Sequence, residues 1–198
     1  MRPARLASAV LIVGLGVAGC SGSMPTTHYY MLEAQDVARS VPDSGLTIGV
    51  PALRVAAPYD QDRIVYRVGE NSVEVGFYAY HRWAAPLGRM LPPIIAEACQ
   101  GLTGVQRIEP AEADRQYDAY LHGRLTTLEE IDTPDGVRVL VRLDLRLVRN
   151  GVTVWSETVE HETPIDGNDM PDVVQGMASS IRTAVQTVQP ALHAALVD

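Results

Sequence analysis

Hydrophobic and polar positions alternate most regularly between residues 117 and 163. One face of this region carries Val137, Val139, Val141, Leu143, Leu145 and Leu147. The other face carries Arg138, Arg142, Asp144 and Arg146. A period of two indicates a β-strand with one buried face. Asn150-Gly151 is a strong two-residue hairpin signal, so we predict an antiparallel meander of three strands: 117–131, 137–149 and 152–163.

Two other segments have the apolar spacing of amphipathic helices. The first, residues 86–102, carries an apolar stripe made by Leu87, Met90, Leu91, Ile94, Ile95, Ala98, Cys99 and Leu102. Because proline lacks an amide hydrogen, Pro92-Pro93 predicts a kink, or a helix whose regular part begins near Pro92. Asn168-Asp169 is expected to cap the second helix, and Pro190 to bend or restart it before residues 192–197. Its buried stripe is Val173, Val174, Met177, Ile181, Ala184, Val185 and Val188.

Shorter strands are predicted at residues 28–32, 46–50, 63–68, 72–80 and 105–108. The order of strands, helix, strands and helix indicates an α+β fold. We expect a mostly antiparallel sheet with two amphipathic helices packed on one face, forming a two-layer sandwich. Residues 28–198 are expected to form one domain, with the arginine row of the meander on the polar outer face of the sheet.

The first residues have the pattern of a secretory signal peptide. Arg2 and Arg5 precede an apolar run, residues 6–17, that is too short to span a bilayer as a helix. The run ends in Val17-Ala18-Gly19-Cys20, which resembles the bacterial lipobox. We therefore expect residues 1–19 to be removed, Cys20 to receive a covalent lipid with palmitate-type acyl chains, and residues 20–27 to tether the domain. The alternative is a free cysteine after an ordinary signal peptide.

The residue that follows Cys20 bears on localisation. It is Ser21 and not an aspartate. By resemblance to lipoprotein sorting in Gram-negative bacteria, this residue favours the outer membrane, and the folded part would then lie in the periplasm.

Composition narrows the class of protein. The chain has 198 residues, 46% of them hydrophobic, and a formal net charge of −8. All 16 basic residues are arginine and they form no basic run, which argues against nucleic acid as a partner. Two cysteines exclude a disulfide scaffold. Cys99 falls on the apolar stripe of the first helix and is expected to be a small buried side chain, although a reactive thiol is the alternative.

No arrangement of catalytic residues is recognisable in the sequence. The five histidines have no zinc-ligand spacing, and there is no nucleophile elbow, Walker loop or dinucleotide fingerprint in the mature part. Glu129, Glu130 and Asp132 are expected to form a charged turn, with a cation site as the alternative. We therefore predict that the protein is not an enzyme and has no metal, and no cofactor apart from the lipid on Cys20.

Two groups of side chains have two interpretations each. The row Arg138, Arg142 and Arg146 is either a solvated sheet face or a docking surface for an acidic partner or lipid headgroups, because guanidinium groups pair with carboxylate and phosphate. The aromatic group Phe77, Tyr78, Tyr80 and Trp83 either packs in the fold or forms part of an interface.

Three segments carry a resemblance to a known family. Tyr29-Tyr30-Met31-Leu32 is similar to a Tyr-Tyr-x-Leu pattern, residues 59–67 (YDQDRIVYR) to a Y-L-D-R-x-Q-I-V-x-R pattern, and residues 82–87 (RWAAPL) to R-W-A-E-P-L. With Val50-Pro51 ending an early strand, the chain resembles the ABC-type transport auxiliary lipoproteins, the PqiC-like family. Ala85 replaces the acid of the last pattern.

The resemblance implies a non-enzymatic accessory subunit of an MCE-type ABC lipid transport system. Such a subunit would dock the transport channel, an MCE-domain protein, at the outer membrane and would assemble as a homo-oligomer. The residues expected to meet the partner are Tyr29, Tyr30, Arg82, Trp83, Arg138, Arg142 and Arg146. Two alternatives remain: a tethered periplasmic lipid-binding or shuttling protein, and a lipoprotein activator of cell-wall synthesis.

Overall fold

The structure, a computed structural model, describes residues 25–35, 44–70, 72–167 and 169–197. The predicted signal peptide, Cys20 and Ser21 lie outside the described residues. Within the described residues the strands are β1 (His28–Tyr30), β2 (Leu46–Val50), β3 (Arg54–Val55), β4 (Arg63–Val68), β5 (Gly76–Trp83), β6 (Val105–Pro110), β7 (Ala119–Thr133), β8 (Gly136–Arg149) and β9 (Val152–Pro164). The helices are α1 (Leu87–Ala98), α2 (Met170–Thr187) and α3 (Gln189–Val197).

The meander of β7, β8 and β9 has the predicted antiparallel pairing. The odd-numbered residues of β8 from Val139 to Leu147 are buried, while Arg142 and Arg146 are exposed on the other face. Asn150 and Gly151 have φ values of 51° and 78°, as a two-residue hairpin with both central residues in the left-handed region requires. The alternation of side chains therefore set which face of β8 became the core face.

The sheet as a whole is mixed, so the expectation of a mostly antiparallel sheet was wrong. One edge of β7 pairs along its length with β8, and its other edge pairs in succession with β2, β3 and β4, all parallel to it. β6 joins β2 in parallel, β5 joins β4 antiparallel, and β1 joins β5 in parallel. Parallel partners are joined by long connections, and hydrophobic periodicity carries no information about such distant pairings.

Helix α1 is continuous from Leu87 to Ala98, so its regular part begins before Pro92 and not near it, as one of the two expectations had it. Pro92 cannot donate to the carbonyl oxygen of Gly88 one turn earlier. The backbone N–H of Leu53 donates to that oxygen instead, at 2.9 Å. Gly88 permits this approach, because a Cβ at residue 88 would lie 2.3 Å from the carbonyl oxygen of Leu53. A neighbouring segment therefore supplies the donor that proline removes.

The helices cover the core face of the sheet. Asp169 caps α2 as predicted, with its carboxylate accepting a hydrogen bond from the N–H of Asp172 at 3.0 Å, whereas Asn168 lies outside the described residues. The predicted stripe of α2 is buried. Arg182 on α2 donates from Nε to Glu97 on α1 at 2.7 Å, which joins the two helices.

The chain after α2 restarts as α3, with Pro190 in its first turn, as expected. None of the helices in the described part of the chain is long and apolar enough to cross a bilayer.

Candidate functional site

The three segments that carry the family resemblance meet at one corner of the sheet. Tyr29 and Tyr30 on β1 pair in parallel with Arg82 and Trp83 on β5. The Tyr30 hydroxyl lies 2.9 Å from Nδ1 of His81, whereas Tyr29 is 64% exposed. β1 is therefore an edge strand that presents one tyrosine to solvent and holds the other against β5.

Asp62 fixes the end of β5 to the loop that precedes β4. Its carbonyl oxygen accepts a hydrogen bond from the Trp83 N–H at 2.6 Å, and its carboxylate pairs with Arg82 at 2.6 Å. These contacts explain why β5 continues to Trp83, beyond the strand end predicted at residue 80. Trp83 is only 5% exposed and belongs to the core, whereas the Arg82 side chain is 35% exposed.

A groove of about 470 Å³ opens beside this corner. It is lined by residues 52, 53, 55, 59–62 and 85–89. Two of the three resembling segments thus contribute to the lining, through residues 59–62 and 85–87. The lining also includes the apolar residues Leu53 and Val55 and the exposed Arg89.

A buried carboxylate holds the loop that forms one side of the groove. Glu129 on β7 is 1% exposed and accepts a hydrogen bond from the Tyr59 hydroxyl at 2.7 Å. Arg67 on β4 donates to the same carboxylate through Nε and Nη2, at 3.0 and 3.1 Å. Burial, followed by the hydrogen bond to Glu129 and its charge, raises the pKa of the Tyr59 phenol, which therefore stays protonated as a donor.

The neighbouring Glu130 points to the opposite face of β7 and is 5% exposed. It accepts a hydrogen bond from the Tyr78 hydroxyl at 3.0 Å. Burial raises the pKa of the Glu130 carboxyl, and the Tyr78 hydrogen bond partly opposes that shift. The expectation of a charged turn was wrong for both glutamates, because they lie within β7 and are buried against partners from other parts of the chain.

The arginine row lies on the outer face of β8, and none of its members lines the groove. Arg138 pairs with Glu162 at 2.7 Å and with Glu70 at 3.0 Å, and Arg142 donates from Nε to Glu160 at 2.6 Å. Arg146 forms no ion pair with any described residue. The fold thus brings Tyr29, Tyr30, Arg82 and Trp83 together and keeps the arginine row separate.

Cys99 is fully buried at the end of α1, as expected for a small apolar side chain. Burial raises the pKa of its thiol to about 12, so the reactive thiolate is not populated at neutral pH. Among the described residues no group of His, Cys, Asp or Glu side chains could hold a metal ion.

Sequence reasoning missed the contact of Tyr59, Arg67 and Glu129. Tyr59 and Arg67 were visible only as members of the resembling segment, and Glu129 only as one of several acids near a turn. Their separation of 62 and 70 residues along the chain left no local signal of the pairing. The two adjacent acids Glu129 and Glu130, flanked by the apolar Leu128 and Ile131, were the available hint.

Comparisons with known proteins give one family and a shared fold. The model of a family described as the ABC-type transport auxiliary lipoprotein component matches residues 30–189. No curated protein sequence matches the chain. The solved structure of a DUF330 protein from Xanthomonas campestris is 16% identical, with a TM-score of 0.67 over 85% of this chain and 96% of that one. A hypothetical protein from Chlamydia trachomatis is 5% identical, with a TM-score of 0.51 over 77% and 98%. At these identities the structural likeness shows the fold alone.

Proposed function

Because the chain belongs to the family of ABC-type transport auxiliary lipoprotein components, we propose that it is a lipid-anchored accessory subunit that docks the MCE-domain channel of a lipid transport system at the outer membrane. Its role is accessory and non-enzymatic. The observation that carries the proposal is that the three resembling segments converge on one exposed corner beside a groove of about 470 Å³. We call the surface formed by Tyr29, Arg82 and Arg89 the docking corner.

The docking corner is close in sequence to the proposed anchor. Residues 20–28 span at most about 28 Å when fully extended, at about 3.5 Å per residue. A lipid on Cys20 would therefore keep β1 within roughly one domain diameter of the membrane. Several acyl chains on one cysteine give durable attachment. Anchoring would raise the local concentration of the docking corner for a partner that reaches the same membrane.

The side chains of the docking corner suit a protein interface. Tyrosine and arginine are common anchors in such interfaces because each combines a large contact area with hydrogen-bonding capacity. Tyr29 is exposed at the sheet edge, while Arg82 is held in place by Asp62. Trp83 would act as a positioning residue, since its buried indole supports the end of β5 that carries Arg82.

The docking test is co-purification of the MCE protein with the full-length lipoprotein from detergent-solubilised membranes. Tyr29→Ala and Arg89→Gln should each lower recovery of the partner about tenfold, which corresponds to about 1.4 kcal/mol. Matched controls are Val154→Ala, an exposed apolar position on β9, and Arg107→Gln, an exposed arginine on β6. Unchanged recovery with both corner variants would remove the corner from the interface.

The anchor has a separate test. Cys20→Ser should leave the protein unprocessed or release it into the soluble periplasmic fraction, because only a thiol can form the thioether to the lipid. Intact-mass analysis of the mature wild type should find acyl chains at its first residue. A Cys20→Ser protein that still sediments with outer membranes would refute lipid anchoring.

A tethered lipid-binding protein is the second candidate, favoured by the apolar residues that line the groove. A lipid-shuttling protein would need an apolar cavity between β8 and α2. That layer is filled by core side chains such as Leu143, Met177 and Ile181. Mass spectrometry of lipids extracted from the purified protein separates the candidates: stoichiometric lipid without recovery of an MCE protein would favour the shuttle. Recovery of a cell-wall synthase instead would favour the activator role.

A further inference from the structure

The outer face of the sheet carries an open cavity of about 580 Å³ where β3, β7, β8 and β9 lie side by side. Its charged and imidazole side chains are Arg54, His122, Arg124, Asp144, Arg146 and Glu157. We call it the arginine cavity. It adjoins the groove beside the docking corner, since Ala52 lines both. It includes Arg146, the member of the arginine row that forms no ion pair with the described residues.

Two arginines face each other across neighbouring strands of the arginine cavity. Arg54 on β3 is the register partner of Arg124 on β7, whereas the register partner of Arg146 is the imidazole of His122. Neighbouring strands lie about 4.8 Å apart, and like charges directly opposite each other destabilise a sheet. The cavity therefore holds three arginines against two carboxylates, Asp144 and Glu157, which leaves an excess of positive charge in a chain whose net charge is −8.

The described residues leave this positive charge without ion pairs. No carboxylate in the described part of the chain pairs with Arg54, Arg124 or Arg146. Asp144 is the register partner of Arg124, but its carboxylate accepts a hydrogen bond from the Thr158 hydroxyl at 2.8 Å. Arg138 and Arg142 on the same face are paired with glutamates. The cavity therefore differs from its surroundings in having guanidinium groups free to bind a ligand.

The charges of the neighbouring arginines also act on His122. Burial, followed by the charges of Arg146 and Arg54, lowers the pKa of its imidazole. At neutral pH the ring is uncharged, and an uncharged imidazole still has one N–H to donate. Arginine forks and a neutral N–H donor together suit an oxyanion with several acceptor oxygens.

We propose that the arginine cavity binds a phosphate group, with Arg54, Arg124 and Arg146 as its cationic ligands. The cavity is larger than a phosphate ion and has room for a glycerol or ethanolamine substituent. The group is either free phosphate or the phosphodiester of a phospholipid headgroup. The proposal does not depend on the docking corner or on an MCE partner.

The test uses the full-length mature lipoprotein in a neutral detergent. Sodium phosphate and sn-glycero-3-phosphoethanolamine are titrated separately at constant ionic strength, with chloride as the balancing anion, and binding is followed by calorimetry and by the NMR signals of His122. We expect saturable binding with one ligand per chain. The pKa of His122 should rise on binding, because the anion offsets the positive charges beside the ring.

Arg54→Gln and Arg124→Gln should each weaken binding about tenfold. Arg142→Gln is the matched control, since it removes an exposed arginine from the same face but outside the cavity. A thermal melt separates loss of binding from loss of folding. Without ligand, Arg54→Gln should melt no lower than wild type, because it removes one of the two arginines that face each other. With phosphate, it should lose most of the stabilisation that the wild type shows.

Tighter binding of the glycerol phosphodiester, by about fivefold or more, would assign the cavity to a lipid headgroup. Equal or weaker binding would assign it to free phosphate. Absence of saturable binding of both probes would overturn the proposal. So would an equal loss of affinity in Arg142→Gln, because binding would then reflect the general charge of the surface.

Discussion

The buried Glu129 makes a prediction whose size follows from the structure. Glu129→Gln keeps the shape of the side chain but removes the negative charge that faces Arg67. Removing one partner of a buried ion pair costs about 3–5 kcal/mol. The Arg67 side chain is 22% exposed, so water partly solvates the remaining charge and the lower end, about 3 kcal/mol, applies.

The assay is urea unfolding of the mature protein, followed by far-UV circular dichroism and by tryptophan fluorescence. A loss of about 3 kcal/mol should also lower the melting temperature by about 6–12 °C for a chain of this length. Glu160→Gln is the matched control, because its side chain is 45% exposed and its pair with Arg142 is solvated. Such an exposed pair contributes about 0–1 kcal/mol.

Tyr59→Phe extends the same test to the loop that lines the groove. This change deletes one hydrogen bond to a charged acceptor, and we expect it to lower the free energy of unfolding by about 1.5–3 kcal/mol. In the Glu129→Gln background the same change should cost less, by at least about 0.5 kcal/mol, since the two groups interact directly. If Glu129→Gln is no more destabilising than Glu160→Gln, or if the two changes are additive, Glu129 does not hold this loop.

Three further predictions concern single side chains. Burial raises the pKa of Glu130 above its ordinary value of 4.5, so the stability that this carboxyl contributes is full below about pH 4.5 and is lost as the pH rises through the raised pKa. The free energy of unfolding of wild type relative to Glu130→Gln, measured in urea, should therefore fall from pH 4 to pH 7. A difference that stays constant over this range would contradict the burial. Gly88→Ala should destabilise the protein by about 1–3 kcal/mol, because the added Cβ clashes with the Leu53 carbonyl. Helix propensity alone would stabilise the protein by about 1 kcal/mol. A lower melting temperature than wild type would therefore support the clash, and a higher one would contradict it. Cys99 should be alkylated by iodoacetamide only after unfolding, as peptide mass spectrometry would show, and rapid labelling of the native protein would refute its inert environment.

Local patterns in the sequence predicted the elements whose causes are local. The alternation along β8 and the Asn150-Gly151 turn identified the meander because side-chain direction and turn geometry depend on neighbouring residues only. The apolar stripe of α2 and its Asp169 cap were found for the same reason. β2 and β4 have the predicted ends, and β1 is shorter than predicted.

The candidate site was predictable in part. Tyr29, Tyr30, Arg82 and Trp83 belong to two of the three segments that resemble the family, and the structure places them together. The sequence did not indicate that Trp83 is buried, that Asp62 holds Arg82, or that Tyr59 and Arg67 share the carboxylate of Glu129. Each of those contacts joins residues at least 20 positions apart.

Within the described residues, the sequence by itself located the helices and every strand but the two-residue β3, and it determined where the meander turns. Only the tertiary structure decided that β7 takes three parallel neighbours, that Glu129 is buried, and that Leu53 supplies the hydrogen bond that lets α1 pass through Pro92. The physical reason is the distance along the chain over which each signal acts. Periodicity and turn chemistry act over a few residues, whereas strand order and buried polar partners depend on segments that meet only after the chain has folded.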